Sequence, residues 1–489
     1  MKKRYLVTLA ITTIVILTGI PISHLLKTKL NETGFNKDIA QGFTNDKSYL
    51  NLTQVDTIIP VEANKKEITK QLKDIIQYAK TNKLKISIAG AKHSMGGHTI
   101  YKNGVIINML PYKHMDLDTT TNILTIGSGA LWEDAIRYLD KFNKSISIMQ
   151  AFSSFSIGGS LSVNGHGWQK NHPPISSSVV SFTLMNVKGE ILNCSRENNY
   201  QLFKAAIGGY GLFGIILDIK LKVVENTSLK YKYVNMSSDK YLEYYKKHIT
   251  NNEKTELVFG RLRISKKRFL EEATLNFFEK KALTPNPLPK KNKNSVESKR
   301  IVFRGSVDSE YGKKLRWGLE KIANKAAKNK IYSRNQLLND NVSLIENKDT
   351  ATTDILHEYF IPEKNFNKFI YNMKPILLNS NIDLLNITIR RVETDTITLM
   401  NYAKETVYGF VILFNQRKTE EQERKMKELT GKLVNITIKN EGTFYLPYRL
   451  HIDKDQMRIA YPKADLFFDI KRKYDPNEVF NNQFYKYYN

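Results

Sequence analysis

The sequence predicts an α+β protein made of two lobes, and three observations support this fold class. Three glycine-rich turns, each beside an apolar β-like run, lie between residues 85 and 216. Helical and strand-like periodicities follow one another along the rest of the chain, which is typical of separate α+β units. The 489 residues are 41% hydrophobic, enough for two or three domains with a large core.

The first turn lies within Lys85 to Met109 (KISIAGAKHSMGGHTIYKNGVIINM). Ile86 and Ile88 alternate with polar residues as in a half-buried strand, and Val105 to Ile107 forms a second apolar run. The intervening loop, Gly90 to Ile100, is rich in glycine, which permits positive φ and close approach of the backbone to a ligand. Successive amides in such a loop form a nest for phosphate. The alternative is a plain glycine-rich hairpin loop.

Two further turns favour the phosphate-binding interpretation. They are Ser156 to Trp168 (SIGGSLSVNGHGW) and Ala206 to Ile216 (AIGGYGLFGII). None of the three is a GxxxxGK[ST] loop or a GxGxxG that opens a helix. The sequence therefore argues against a nucleoside triphosphatase and against a nicotinamide Rossmann domain.

The remaining elements are predicted from periodicity and breaker residues. In the first lobe, one helix at Glu67 to Thr81 buries Ile68, Leu72, Ile75, Ile76 and Ala79, a strand covers Ile123 to Gly127, and a helix covers Leu131 to Phe142. In the second lobe we expect an exposed loop at Leu283 to Arg300, strands at Asp354 to Pro362, Ile382 to Val392 and Phe410 to Phe414, and a helix at Thr419 to Leu433.

The N-terminus predicts a membrane helix. Three basic residues follow Met1, and Tyr5 to Leu26 then carries no formal charge, a length that can span a bilayer. Because no A-x-A-like cleavage site is present, an uncleaved signal anchor is favoured over a cleaved signal peptide, which would give a secreted protein. The basic residues ahead of the span predict a cytoplasmic N-terminus and a body outside the cytoplasm, on the periplasmic or extracellular side. Lys27 to Leu50 is predicted to be a polar linker.

The charge balance is strongly basic. Lys and Arg number 75 against 48 Asp and Glu, a net charge of +27. Such a balance suits nucleic acid or an anionic membrane surface, but the lysines are spread along the chain without a nucleic-acid motif. We therefore expect a solvated basic surface near anionic lipid and no nucleic-acid partner. The single cysteine, Cys194, excludes an internal disulfide.

Four motifs occur in a fixed order: AGAKHSMGG, GSLSVNGHG, SFTLMNVKGEIL and NYQLFKAAIGGYGLFGII. They resemble the PCMH-type FAD-binding domain of the vanillyl-alcohol oxidase superfamily, and within it most resemble the sugar and aldonolactone oxidases. The tail Lys471 to Tyr485 resembles the family's C-terminal segment. The resemblance implies a split FAD-binding domain with a substrate (cap) domain. The implied divisions are 1–50 (signal anchor and linker), 51–225 (FAD domain), 226–444 (cap domain) and 445–489 (return segment on the FAD domain).

The resemblance also implies how FAD is held. His93, followed by Ser94, matches the histidine that often bonds covalently to the flavin, and the alternative is a histidine that only hydrogen-bonds in the loop. Gln150 to Ser153 contains no cysteine, which excludes a second tether. The implied cofactor-binding residues are Gly90, Ala91, Lys92, Ser94 and Met95 at the pyrophosphate, Ser156, Gly158, Gly159, Asn164 and His166 further along, and Gly209, Gly214 and Ile215 near adenine. No metal site is expected at His98, His166 or His172, because no HExxH motif or cysteine partner accompanies them.

The substrate residues are implied by one strand of the cap domain. Arg390 matches a family arginine that faces the flavin, while Thr388 stands where the family has glutamate, so a simple polyol or lactone substrate is put in doubt. Alternation places Thr388 and Arg390 on one face. The alternative is that Arg390 pairs with Glu393 and only holds the strand. His451 is the expected general base, although the family's HWGK-like pattern is absent.

The expected function is an FAD-dependent oxidoreductase acting on CH–OH donors. It would transfer a hydride from a carbinol C–H of a sugar, lactone or other alcohol to flavin N5. Two alternatives stay open: a flavin reductase or oxidase acting on a lipid or sterol-like substrate, and a non-catalytic binding protein on a flavin fold. The electron acceptor stays open between oxygen, a quinone and a cytochrome. The resemblance implies that the side chain at Ala130 admits or excludes oxygen, and alanine there favours a dehydrogenase.

Overall fold

The computed structural model describes residues 18–34, 39–289 and 293–489. The described part of the first helix, α1, covers residues 18–30. The strands are β1 Phe43–Thr44, β2 Thr53–Gln54, β3 Thr57–Pro60, β4 Ile86–Ala89, β5 Val105–Asn108, β6 Met115–Asp118, β7 Ile123–Gly127, β8 Lys144–Ile146, β9 Val179–Met185, β10 Ile191–Ser195, β11 Ile215–Glu225, β12 Ser228–Ser237, β13 Thr255–Leu262, β14 Glu272–Lys281, β15 Ile331–Ser333, β16 Thr352–Pro362, β17 Asp383–Val392, β18 Val407–Arg417 and β19 Thr443–Phe444. The other helices are α2 Lys65–Thr81, α3 Trp132–Asp140, α4 Ile157–Ser162, α5 Tyr200–Ala206, α6 Tyr241–Tyr245, α7 Lys293–Arg304, α8 Glu310–Ala327, α9 Arg334–Leu338, α10 Phe366–Leu378, α11 Glu420–Lys439, α12 Lys454–Ala460, α13 Ala464–Tyr474 and α14 Gln483–Tyr488.

The first lobe contains a parallel sheet in the order β3-β5-β4, covered by α2. The helix predicted at Glu67 to Thr81 is confirmed, and its five predicted core residues are the buried ones. Asn64 caps it by accepting a hydrogen bond from the amide of Lys66. Because β4 and β5 pair in parallel, the plain hairpin interpretation of the Gly90 to Ile100 loop is wrong.

A six-stranded antiparallel sheet completes this lobe, in the order β10-β9-β11-β7-β6, with β8 also paired to β11. The predicted strand at Ile123 to Gly127 is confirmed as β7. The predicted helix at Leu131 to Phe142 is observed as α3, with Leu131 as its N-cap. The chain leaves this sheet at the end of β11 and enters the next one at β12.

The second lobe is an eight-stranded sheet in the order β15-β12-β14-β13-β17-β18-β16-β19. The predicted strands in this region correspond to β16, β17 and β18, and the predicted helix to α11. Helices α10 and α11 pack against one face, where Phe369 contacts Tyr359 and Phe410. The opposite face forms the floor of a large cavity.

Two predicted irregular segments are more ordered than expected. The predicted exposed loop at Leu283 to Arg300 runs into α7, which begins at Lys293 and buries Arg300. The predicted linker at Lys27 to Leu50 is partly helical up to residue 30 and later buries Thr44, Asp46 and Ser48. Both predictions relied on polar composition. These polar residues are ordered by buried hydrogen bonds, which leave no apolar periodicity in the sequence.

The predicted membrane helix lies at the N-terminal end of the chain. In the part of the chain that the structure describes, every helix is too short or too polar to cross a bilayer. Most of the predicted span Tyr5 to Leu26, namely residues 5–17, lies outside the described residues. The remaining residues, 18–26, belong to α1, which contacts the body through His24. The C-terminal segment returns to the first lobe, where Phe480 forms a parallel bridge with Ile86 and Asn481 O accepts a 2.6 Å hydrogen bond from Ser87 Oγ.

Candidate functional site

The candidate site is a cavity of about 1180 Å³ between the glycine-rich turns and the floor of the eight-stranded sheet. Its volume exceeds the roughly 300–1,000 Å³ of typical small-molecule sites. Residues from both lobes line it. The cavity can therefore hold a large cofactor together with a substrate.

The first glycine-rich turn presents its backbone to the cavity. Lys92 has a φ of 53°, which reverses the chain and is the conformation of an anion-binding nest. The amides of Lys92, His93 and Ser94 meet no hydrogen-bond acceptor within the described parts of the chain. Two amides that were predicted to donate to the pyrophosphate donate to protein atoms instead. The Met95 amide donates to Pro447 O at 2.9 Å and the Ala91 amide to Ser156 Oγ at 3.2 Å.

Residues from the supposed linker hold this loop in place. Asp46 Oδ2 accepts a 2.8 Å hydrogen bond from the Gly97 amide, and Lys92 Nζ donates to Thr44 Oγ1 at 2.8 Å. Just after that segment, Asn51 Nδ2 donates to Met95 O at 3.0 Å. Sequence reasoning missed these contacts because they join segments that are distant along the chain and carry no motif.

The second turn, around α4, lines the same cavity through Ser156, Gly158 and Gly159. A Cβ on Gly158 would lie 2.7 Å from Ser128 Cβ, so the close approach of these two segments requires glycine. Ser128 Oγ is buried, lines the cavity and has no hydrogen-bond partner among the described residues. Gly214 and His166 also line the cavity, as expected.

Three predicted cofactor residues do not line the cavity. Asn164 is buried and donates to Asp395 Oδ2 at 2.9 Å, so it ties α4 to the second lobe. Gly209 packs behind the third turn, where a Cβ would lie 2.3 Å from Ala205 O, and Ile215 is fully buried in the core of the first lobe. The third turn instead contributes Tyr210 and Gly211.

His93 lies at the cavity wall, with its ring 4.2 Å from that of Phe155. Burial, together with the positive charge of Lys47, lowers the pKa of His93 to about 3. The imidazole is therefore neutral near pH 7, with a nitrogen lone pair available for bond formation.

Arg390 and Thr388 lie on the cavity floor, on the same face of β17. Arg390 makes no hydrogen bond or ion pair with any described residue, although burial lowers its pKa and the charge of Glu358 opposes that effect. Glu393 pairs with the neighbouring Arg391, so the alternative that Arg390 is fixed by Glu393 is wrong. Thr388 Oγ1 accepts hydrogen bonds from Asn386 and Arg261.

The structure adds a carboxylate that sequence reasoning missed. Glu358 on β16 and Thr388 on β17 both pair with Val411 on the strand between them, so the three lie in one row across the sheet. Arg390 pairs with Gly409, where a Cβ would lie 3.6 Å from Glu358 Oε1. A carboxylate thus lies two strands away from position 388, where the resemblance implies a glutamate.

Glu358 is buried within a hydrogen-bond network. His166 Nε2 lies 2.6 Å from one carboxylate oxygen, and Tyr448 Oη donates to the other at 3.0 Å. Burial alone would raise the pKa of Glu358, but His166, Arg390 and Tyr448 outweigh it and lower the pKa. Glu358 is therefore an ionised carboxylate facing the cavity at neutral pH.

His451, the expected general base, does not line the cavity. Its Nε2 lies 2.7 Å from Glu423 Oε1 and its Nδ1 lies 3.3 Å from Thr430 Oγ1. Glu423 also accepts a hydrogen bond from Arg449, which in turn donates to Met95 O at 3.2 Å. His451 therefore belongs to a cluster that supports the loop from behind.

The histidines considered as metal ligands, His98, His166 and His172, have different surroundings. His98 stacks on Phe484, with ring centroids 5.2 Å apart, and His172 lies near the end of β17, where its carbonyl accepts from the Glu393 amide. Residues 18–34, 39–289 and 293–489 contain no group of three or more His, Cys, Asp or Glu side chains that could hold a metal ion.

Comparison with known proteins gives a consistent result. Residues 65–195 match a family model described as an FAD binding domain. The chain is 29% identical over 171 residues to cytokinin dehydrogenase 2 of Arabidopsis thaliana, covering 34% of each chain. It is 28% identical over 175 residues to D-arabinono-1,4-lactone oxidase of Debaryomyces hansenii, covering 33% of this chain and 31% of that protein. It is 27% identical over 155 residues to L-gulonolactone oxidase of Mus musculus, covering 32% and 35%. The chain thus spans about a third of the length of these curated relatives.

The inner part of the cavity fits FAD. The three amides around Lys92 supply donors for a pyrophosphate. The buried Ser128 hydroxyl supplies another polar group, one without a hydrogen-bond partner in the described ranges. Gly90 leaves open a gap that a Cβ would close, since that atom would lie 2.1 Å from Ser156 Oγ. His93 stands at the same wall.

Proposed function

We propose that this chain is an FAD-dependent oxidoreductase of the vanillyl-alcohol oxidase superfamily that acts on a carbinol C–H of an alcohol, lactone or sugar, since residues 65–195 match an FAD binding domain. When bound, FAD supplies the acceptor, at N5, for a hydride that leaves the substrate carbon. The observation that carries the proposal is that Arg390, which has no hydrogen-bond or ion-pair partner among the described residues, lines the same cavity as an ionised Glu358.

The two charged groups have complementary tasks. Glu358 accepts the proton of the substrate hydroxyl, a role that needs an ionised carboxylate within the cavity. Arg390 stabilises the negative charge that develops on the carbinol oxygen as the hydride departs. Tyr448 and His166 hold the carboxylate in position, and Thr388 lies on the same floor to orient the substrate.

The test is anaerobic bleaching of the flavin absorbance by a panel of alcohols, lactones and sterols, added to the full-length protein. Arg390→Lys keeps a positive charge but changes its reach, so we expect flavin reduction to slow by about ten-fold or more, or about 1.4 kcal/mol. Arg391→Lys is the matched control, because that residue pairs with Glu393. Its flavin reduction should match wild type.

Three results would contradict the proposal. Reduction at wild-type rate in Arg390→Lys would remove Arg390 from the chemistry. Equal slowing in both variants would indicate a general effect on the strand. A bound flavin that no compound in the panel reduces would favour the non-catalytic binding protein. The electron acceptor would follow from reoxidation with oxygen, a quinone or a cytochrome.

We also propose that the uncharged run that starts at Tyr5 acts as an uncleaved anchor ahead of the body-packed part of α1 and keeps the body outside the cytoplasm. The support is the uncharged run from Tyr5 to Leu26 behind a basic start. The protein isolated from its host should begin at or near Met1 and stay with the membrane fraction. A mature N-terminus near Ser23 would mean a cleaved signal peptide.

A further inference from the structure

Helix α1 carries two distinct faces. Pro21, His24, Leu25 and Thr28, spaced as one helical face, are half-buried against the body. Three apolar residues spaced four apart point the other way: Ile22, Leu26 and Leu30 are 57%, 55% and 82% exposed. An apolar side this exposed on a soluble surface marks an interaction site.

Helix α8 repeats this arrangement. Its outer positions Tyr311, Gly318, Ile322 and Ala326 are exposed, with Ile322 at 66%. On the opposite side, Glu320, Asn324 and Ala327 line the cavity. The helix is thus a wall with the cavity behind it and an apolar outer stripe.

The two helices are fixed together. His24 Nε2 lies 2.8 Å from Gly305 O, and its ring packs against Tyr311 with centroids 5.2 Å apart. Beyond the end of α1, Glu32 Oε2 accepts a 2.8 Å hydrogen bond from buried Arg300 on α7. Helix α1 is therefore held at the start of α8 and at the end of α7. We name the exposed sides of α1 and α8 together the apolar platform.

The cavity opens beside the apolar platform. Gly34, Ile39, Lys299 and Ala323 both line the cavity and are exposed, so they form its rim. Gly34 and Ile39 follow α1, Lys299 lies on α7, and Ala323 lies on α8 next to Ile322. A molecule entering at this rim passes directly beside the platform.

We propose that the apolar platform docks on an anionic lipid bilayer and that the cavity receives an apolar substrate from that bilayer. Exposed Lys27 and Lys29 on α1 and Lys314 and Lys325 on α8 accompany the apolar residues, as in helices that lie in the headgroup region of anionic membranes. The uncharged residues from Tyr5 onward precede α1 in the sequence, so the anchor proposed above would hold α1 at the same membrane.

The cavity wall suits such a substrate. Tyr231, Phe259, Phe278, Tyr332 and Leu337 line the part of the cavity that lies beyond the glycine-rich turns. These side chains favour an apolar body, such as that of a lipid-soluble alcohol, with its carbinol end at Arg390 and Glu358. This substrate class rests on the proposed function, whereas the docking surface does not.

The test uses full-length flavoprotein labelled at single introduced cysteines. The only native cysteine, Cys194, is fully buried and will not compete for a thiol-reactive fluorophore. Leu26→Cys and Ile322→Cys report on the platform, and Tyr371→Cys, on α10 and 78% exposed, is the matched control. With vesicles of phosphatidylglycerol and phosphatidylcholine, we expect the fluorophores at 26 and 322 to shift to the blue and to be quenched by spin-labelled lipid. The fluorophore at 371 should do neither.

The possible outcomes separate the explanations. Labels at 26 and 322 that stay in water while the protein floats with the vesicles would overturn the docking surface and leave binding to residues 1–17. A blue shift without vesicles that grows with protein concentration would show that a second copy covers the platform, and would also overturn it. Insertion of both labels without any flavin reduction by apolar alcohols would support docking and count against the proposed function alone.

Discussion

At the scale of single residues, the pKa of Glu358 is set by its neighbours. Tyr448 donates a hydrogen bond to one carboxylate oxygen, which favours the ionised form and lowers the pKa. If Glu358 takes the substrate proton, activity is lost as the pH falls through this lowered pKa. Tyr448→Phe removes the donor and raises the pKa, so the acidic limb of the profile of flavin-reduction rate against pH should move to higher pH.

Tyr445→Phe is the matched control for that shift. Tyr445 also lines the cavity, but its hydroxyl donates to Val163 O rather than to Glu358. Its acidic limb should stay where the wild-type limb lies. An unmoved limb in Tyr448→Phe, or equal movement in both variants, would show that Glu358 is not the titrating base.

His93 gives a second prediction at this scale. Its neutral imidazole stands at the cavity wall, so we expect a covalent bond to the flavin. Acid-precipitated wild-type protein should stay yellow, and His93→Ala should release its flavin into the supernatant. His98→Gln, in the same loop, should keep the flavin attached, because His98 packs against Phe484. Complete release of flavin from wild-type protein would refute the bond but not the binding site.

At the scale of elements, Arg449 joins helix α11 to the first glycine-rich turn. It donates to Glu423 on α11 at 2.8 Å and to Asn51 Oδ1 at 2.7 Å, as well as to Met95 O. Arg449→Gln should lower the free energy of unfolding by about 2 kcal/mol, the range for hydrogen bonds to charged groups. It should also lower the flavin content, since the turn loses its support. Chemical denaturation and the ratio of flavin to protein absorbance measure the two effects.

Arg424→Gln tests whether the loss is specific. Arg424 lies on the same helix in an exposed pair with Glu428, and such pairs contribute about 0.5 kcal/mol or less. This variant should retain its flavin and its stability. Full flavin content in Arg449→Gln would mean that the first glycine-rich turn keeps its shape without the hydrogen bonds of Arg449.

At the scale of the whole molecule, the C-terminal return segment completes the first lobe. Lys471 and Asp475 form a fully buried ion pair there, and Asp475 also accepts hydrogen bonds from the Val479 and Phe480 amides. Lys471→Met leaves a buried carboxylate without its cation, which should cost about 3–5 kcal/mol of unfolding free energy. Lys473→Met removes an exposed lysine of the same helix and should change the thermal midpoint little. Equal midpoints in the two variants would show that the buried pair does not stabilise the fold.

Elements whose signal is local could be predicted from the amino-acid sequence. The buried face of α2, the bounds of β7 and the glycine-rich turns follow from periodicity and from glycine's conformational range, and both act over a few neighbouring residues. The motif order also identified the FAD-binding domain. These features need no knowledge of which strand lies beside which.

Which residues are neighbours at the site depends on how the strands and lobes pack in the folded protein. Glu358 faces the cavity next to Arg390 because β18 lies between β16 and β17, an order that no local pattern encodes. His451 points away from the cavity because its Nε2 pairs with the half-buried carboxylate of Glu423 on α11. Asp46 and Thr44 support the glycine-rich turn from a segment that looked like a linker. In each case the deciding contact joins distant residues, and its free energy comes from desolvated charges and hydrogen bonds that exist only after the lobes have packed.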